Sequence, residues 1–217
     1  MKPINLRKLP IRRIAFTTPP EERARYLAQA VALYEEALCR GEASASKGAL
    51  KGSIPSADAS PLQQCMAAHL AARPERADVV HDLLAHLAER MIALNKEKQA
   101  EVKGFLAWLE RELGAPLEGL TGKSRLQNYL GDYQKGKAEL PFEELLAILR
   151  KNARRLRADP QARAIQERLE REYQESLSRL LPLKARLAAT DCLIDRIVYQ
   201  LYGLTEEEVA IVEGPST

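Results

Sequence analysis

At 217 residues, 46% apolar but only 5% aromatic and rich in Ala, Leu, Glu, Arg and Lys, the chain suits one domain or two small ones built of helix rather than sheet. Its net charge of +3 is uneven: residues 1–20 hold Lys2, Arg7, Lys8, Arg12 and Arg13 with no acid, leaving 28 bases against 30 acids elsewhere. No apolar run reaches bilayer length, Met1 to Ala15 lacks a signal peptide's apolar block, and Cys39, Cys65 and Cys192 are too few and scattered for a disulfide framework or zinc site, so a cytoplasmic protein is expected.

Lys2 to Thr18 contains Pro3 and Pro10 among Leu9, Ile11, Ile14 and Phe16, which predicts an extended basic arm over residues 1–17. Such an arm suits a polyanion. Thr18-Pro19-Pro20-Glu21 reads as a capping box opening a helix over 18–41, with Leu27, Val31, Tyr34 and Leu38 on one face. Residues 42–61 are rich in Ser, Ala and Gly without periodicity, and predict a flexible linker. The helical hairpin domain is then expected over 62–214. It begins with a short helix, Leu62 to Ala72, that stops before Pro74.

From about Glu75 to Gly114 a sustained stripe (Val80, Leu83, Leu87, Met91, Leu94, then Val102, Phe105, Leu106, Leu109, Leu113) predicts a helix roughly 55 to 60 Å long, which needs a partner to bury that stripe. Its polar middle, Asn95 to Ala100, and Gly104 predict a bend or a solvent-spanning section. A long connection, Ala115 to Leu140, allows chain reversal. Pro141 opens another helix through Leu145, Leu146 and Leu149, and Asp159-Pro160 restarts a second long one through Ile165, Leu169, Tyr173, Leu177, Leu180 and Leu187, with a kink expected at Pro182. The fold class that follows is mainly α: a long antiparallel, coiled-coil-like helical hairpin with shorter packed helices and an extended N-terminal arm.

The end of the chain carries the densest local code. Gly203 closes the second long helix, and Leu204 is expected to pack back on Tyr199 and forward on Val209, while Thr205 and Glu208 form a capping box. A fixed helical corner is expected there.

Candidate chemistry is sparse. His81 and His86 lie five apart, so one helix face does not present both to a metal. Glu101-Val102-Lys103 imitates half of a nuclease site but sits in a helical run. Asp191 and Asp195 stand beside Arg196 and read as solvated surface. Thr121-Gly122-Lys123-Ser124 lacks the spacing and preceding strand of a phosphate loop; Lys123 and Arg125 remain candidates for a nucleic-acid backbone, against a reading in which Leu126, Tyr129 and Leu130 simply pack on the long helix. The bases from Arg150 to Arg157 fall at a helix C-terminus, which favours cations in any soluble protein.

The runs LLAHLAERMIALNKEKQAEVKGFLAWLERELG, LEGLTGKSRLQNYLGDYQKG, LPFEELLAILRKN and LLPLKARLAATDCLIDRIVYQLYGLTEEEVAIVEG together resemble the C-terminal region of Type IIG-like restriction–modification enzymes, N6-adenine DNA methyltransferases often fused to an endonuclease. KLPIRRIAF resembles the end of the target-recognition domain that precedes this region. The family's Asn-Pro-Pro-Tyr/Phe motif and Gly-rich S-adenosylmethionine loop are not in this sequence. The resemblance therefore implies a non-catalytic DNA-recognition and spacer part, acting as a fragment or separate subunit, with S-adenosylmethionine and Mg belonging to a catalytic partner. It makes Arg7, Lys8, Arg12 and Arg13 the leading DNA-backbone candidates, with weak, salt-dependent DNA binding. A helical protein-interaction module is the alternative.

Overall fold

The computed structural model describes residues 12–40 and 60–213. Seven α-helices are found among them and no strand: α1 (Pro20–Arg40), α2 (Pro61–Ala71), α3 (Ala77–Leu113), α4 (Lys123–Gln127), α5 (Phe142–Lys151), α6 (Arg163–Tyr202) and α7 (Glu206–Glu213). Arg7, Lys8 and nearly all of the expected linker lie outside the described residues. The fold is mainly α, with α3 and α6 forming a helical hairpin. The chain divides into two compact units, the first from residues 1–89 and 189–217, the second from 90–188, so that each long helix contributes a segment to both.

In the first unit, Ala30 and Tyr34 of α1, Leu62 and Met66 of α2, and Val80, Leu83 and Leu87 of α3 enclose a core with Leu193, Ile197 and Leu201 of α6. The buried Tyr34 hydroxyl does not go unpartnered: it shares a 2.9 Å hydrogen bond with Thr190 Oγ1. Thr18 differs from the expected cap. Its hydroxyl and amide both donate to Asp78, at 2.8 Å each, and α1 starts at Pro20. A buried carboxylate on α3 offers those donors a charged acceptor, and so takes what a capping box would have used. Conversely, Ser60 and Gln63 do form a capping box for α2, signalled by Ser60-Pro61-Leu62-Gln63.

The second unit is organised by antiparallel α3 and α6 segments. Arg168 pairs with Glu112 at 2.6 Å, and Arg179 with Glu101 at 3.4 Å. Eleven residues forward on one helix is eleven back on the other, which is the antiparallel register. Phe105, Leu109 and Leu113 meet Leu169, Tyr173, Leu177 and Leu180 in the core, joined by Leu126, Tyr129 and Leu130 from the connection and Leu145, Leu146 and Leu149 from α5. The Tyr129 hydroxyl bonds Ser176 Oγ at 2.7 Å, and burial pushes its pKa up to about 12. α3 is helical throughout Asn95–Gly104, where Lys96, Glu97, Gln99 and Ala100 face solvent between buried Leu94 and Phe105. α6 is likewise continuous through Pro182, whose ring is exposed.

The corner after α6 has its expected bonds. Leu204 N–H donates to Tyr199 O at 3.0 Å and Gly203 N–H to Gln200 O at 3.1 Å, with Gly203 at φ 64°. Thr205 N–H donates to Glu208 Oε2 at 2.8 Å, and Glu208 N–H to Thr205 Oγ1 at 3.3 Å. Leu204 and Val209 are both half-buried. Gly203→Ala is expected to cost about 1 kcal/mol, because alanine resists the left-handed conformation. Leu204→Asp is expected to cost about as much, because it exchanges a half-buried apolar side chain for a charge. Urea midpoints of the two variants measure both effects.

Candidate polyanion-binding surface

The connection between the hairpin helices folds onto α5 through one side chain. Asn152, 3% exposed, follows the last residue of α5. Its Oδ1 accepts from Thr121 N–H at 2.9 Å, and its Nδ2 donates to Thr121 O at 2.9 Å and Ile148 O at 2.8 Å. Oδ1 and Nδ2 thus satisfy both backbone groups of Thr121 and one orphan carbonyl of the helix end, which fixes the loop against the helix. Arg155 adds a bond to the Gly119 carbonyl, and Arg157 N–H donates to Leu113 O at 2.9 Å.

The effect is to bring two separately weighed sequence features together. The Thr121–Ser124 turn and the Arg150–Arg157 segment belong to one surface. On it Arg150, Lys151, Arg154, Arg155 and Arg157 are all exposed, and none is in an ion pair among the described residues. Arg150 and Lys151 are at the C-terminal turn of α5, where the helix dipole favours them. The dipole effect fades beyond the last turn, so it does not account for Arg154, Arg155 and Arg157. With no carboxylate within ion-pair distance among the described residues, five cations in eight residues create a local positive potential.

The residues favoured by sequence reasoning are placed differently. Arg12 pairs with Glu75 and with the Leu201 carbonyl, so it anchors residues 12–18 to the first unit. Arg13 is exposed. Lys123 pairs with Glu118 at 2.9 Å, and Arg125 with Glu144. Those pairs are solvent-exposed and individually weak, but they offset the two charges at the edge of the surface. The charge balance follows the same division. Residues 90–188 hold 20 Lys and Arg against 14 Asp and Glu, net +6, while the remainder holds 13 against 16, net −3. Along the sequence the excess is masked, because acids of the first unit cancel the bases of the second.

Other sequence features have local partners. His81 Nδ1 lies 3.2 Å from Asp82 Oδ1, the His86 ring meets Tyr34 edge-on, and Glu101 pairs with Arg179. Among the described residues no three His, Cys, Asp or Glu side chains converge as metal ligands, and no helix is long and apolar enough to cross a membrane.

No curated protein and no solved structure matches this chain. A family model does match residues 78–198, which include the α5 end, the Asn152 clamp and most of both long helices. As that match spans more than half of the chain, the protein belongs to the family described as domain of unknown function DUF8810.

Proposed function

We propose that this chain is a non-catalytic DNA-binding and spacer component of a restriction–modification methyltransferase or endonuclease system, as its sequence resemblance implies. The observation that carries DNA binding is the set of five exposed cations without acidic partners at Arg150–Arg157. Phosphate is their natural counter-ion: lysine and arginine neutralise it directly, and counter-ion release supplies the affinity. Lysine and arginine contacts of this kind hold duplex DNA by its backbone and leave sequence choice to another part of the system. The long α3–α6 pair acts as the spacer. Methyl transfer and cleavage, with S-adenosylmethionine and Mg, belong to a catalytic partner, so the purified chain alone is expected to show neither activity.

Fluorescence anisotropy with a labelled duplex at several salt concentrations tests this reading. Binding is expected in the micromolar range or weaker, with log K falling against log[salt] at a slope of roughly −4 to −5 if all five cations engage phosphates. Lys151→Glu/Arg154→Glu/Arg157→Glu is expected to weaken binding more than tenfold. Arg155 is spared because it also holds the Gly119 carbonyl. Salt-independent affinity, or an unchanged affinity in the triple variant, would sink the proposal.

A helical protein-interaction module is the second reading. What favours it is α7, which has no buried residue and leaves Ile211 and Val212 78% and 63% exposed. Loss of partner capture on Ile211→Asp, with DNA binding intact, would support that reading.

A further inference from the structure

The basic segment after α5 is pinned to the second unit at three places. From Asn152 the chain makes one 3₁₀ turn, Ala153–Arg155, and then an extended residue, Leu156, at φ −92° and ψ 146°. Leu156 packs against the core, and in extended backbone successive side chains point to opposite sides, so its neighbours Arg155 and Arg157 are turned outward. Asn152 grips the Thr121 backbone at one end of the segment. At the other end the N–H groups of Arg157 and Ala158 both donate to Leu113 O, at 2.9 and 3.3 Å.

Gly114 adds a seat for one cation. It follows α3 at φ 64°, and a Cβ there would stand 2.9 Å from Arg157 Cβ, 3.0 Å from its Cδ and 3.2 Å from its Cγ. The aliphatic stem of Arg157 therefore lies on the bare Gly114 backbone, in room that any other residue would fill. A stem resting on backbone loses rotamer freedom while its guanidinium stays in water. Arg155 is restrained in turn by its bond to the Gly119 carbonyl.

We propose that Asn152 and Gly114 are positioning residues of the polyanion surface, which set Arg154, Arg155 and Arg157 in place before a duplex arrives. This inference rests on the reading of Arg150–Arg157 as the DNA-binding surface, and adds that the array is ordered in the free protein. Side chains already ordered lose little freedom on binding, whereas each loose arginine has to be ordered at the expense of affinity. Positioning and charge leave different marks on a salt titration. The slope of log K against log[salt] counts the phosphates neutralised, so deleting one cation lowers it by about 1. Loosening a cation keeps the count and lowers only the affinity.

Anisotropy with the labelled duplex at several salt concentrations tests this on the full chain and on Asn152→Ala, Gly114→Ala and Gly136→Ala, each checked for fold by circular dichroism. Gly136, at φ 61° with nothing within 4 Å of an added Cβ, suffers the same left-handed strain without displacing an arginine. Asn152→Ala and Gly114→Ala are expected to bind about threefold to tenfold more weakly with the slope of the parent chain, and Gly136→Ala to bind as the parent does. Parent affinity in either folded variant, a slope reduced by about 1 or more, or an equal loss in Gly136→Ala overturns the inference. If one of the two variants fails to fold the other decides, and unfolding of both makes the residues structural and overturns it as well. A parent chain that does not bind the duplex overturns the underlying reading and this inference with it. A parent that binds with the expected slope, beside variants that match it, overturns this inference alone.

Discussion

Gly131→Ala is expected to cost at least about 4 kcal/mol, the largest effect of a methyl added at any of the described glycines. Gly131 has φ 74°, and a Cβ there would stand 2.2 Å from Ala138 O and 2.4 Å from Lys137 O. Both are backbone atoms, so no side-chain rotation relieves the clash. The neighbouring strand-like turn would have to open, although Lys137 N–H bonds Asp132 O at 2.8 Å and Leu140 N–H bonds Tyr129 O at 2.7 Å. Tyr129 and Leu140 would lose their seats in the core with it. Two other glycines serve as controls. Gly136, at φ 61° with nothing within 4 Å, should lose only about 1 kcal/mol on substitution by alanine. Gly104, inside α3 with open space around it, should gain about 0.5–1 kcal/mol. Urea unfolding of the three variants gives the ranking, and a Gly131→Ala midpoint equal to that of Gly136→Ala would refute it.

Asp78→Asn is expected to destabilise the protein by about 2–4 kcal/mol and to change its acid sensitivity. Asp78 is fully buried and accepts from Thr18 N–H, Thr18 Oγ1 and Val79 N–H. An asparagine presents an NH₂ to one of these donors and leaves it unsatisfied. Burial alone would push the Asp78 carboxyl up, but those hydrogen bonds and Arg23 hold it below its ordinary 3.8. The unfolded chain therefore takes up that proton first as pH falls, and the stabilisation present above about pH 4 is lost through the depressed value. His69 gives a separate step of the same sign. Burial and then Arg76 hold its imidazole below the ordinary 6.5, against the opposing pull of Asp78, so stability also declines as pH drops below about 6.5. Thermal midpoints from pH 8 to pH 3 should show two declines in the parent chain. Asp78→Asn should shrink the lower one and strengthen the upper, because the carboxylate that favours the charged imidazole is gone.

The local code was readable wherever a motif uses bonds between near neighbours. Gly203, Leu204, Thr205 and Glu208 bond as their spacing predicts, because each partner is within five residues and nothing buried competes for them. Thr18 shows the opposite outcome. Its four-residue signature was intact, but an acceptor sixty residues away gives its hydroxyl and amide a charged partner. The stripes of α3 and α6 also predicted the hairpin correctly, since helical periodicity reports directly which face must be covered.

Charge was the property that sequence order described worst. The N-terminal run of bases was conspicuous, yet Arg12 is spent on Glu75 and Leu201. Along the chain, Arg154, Arg155 and Arg157 read as ordinary helix-end cations. The amino-acid sequence by itself determined the helices, their apolar faces and the corner at Gly203, because these depend on periodicity and short-range hydrogen bonds. Only the tertiary structure decided which cations keep a free charge, because a partner contributed by a distant segment is invisible along the chain. Asn152 joining Thr121 to α5 and Lys184 bracing the 130–137 loop are the contacts that made those decisions.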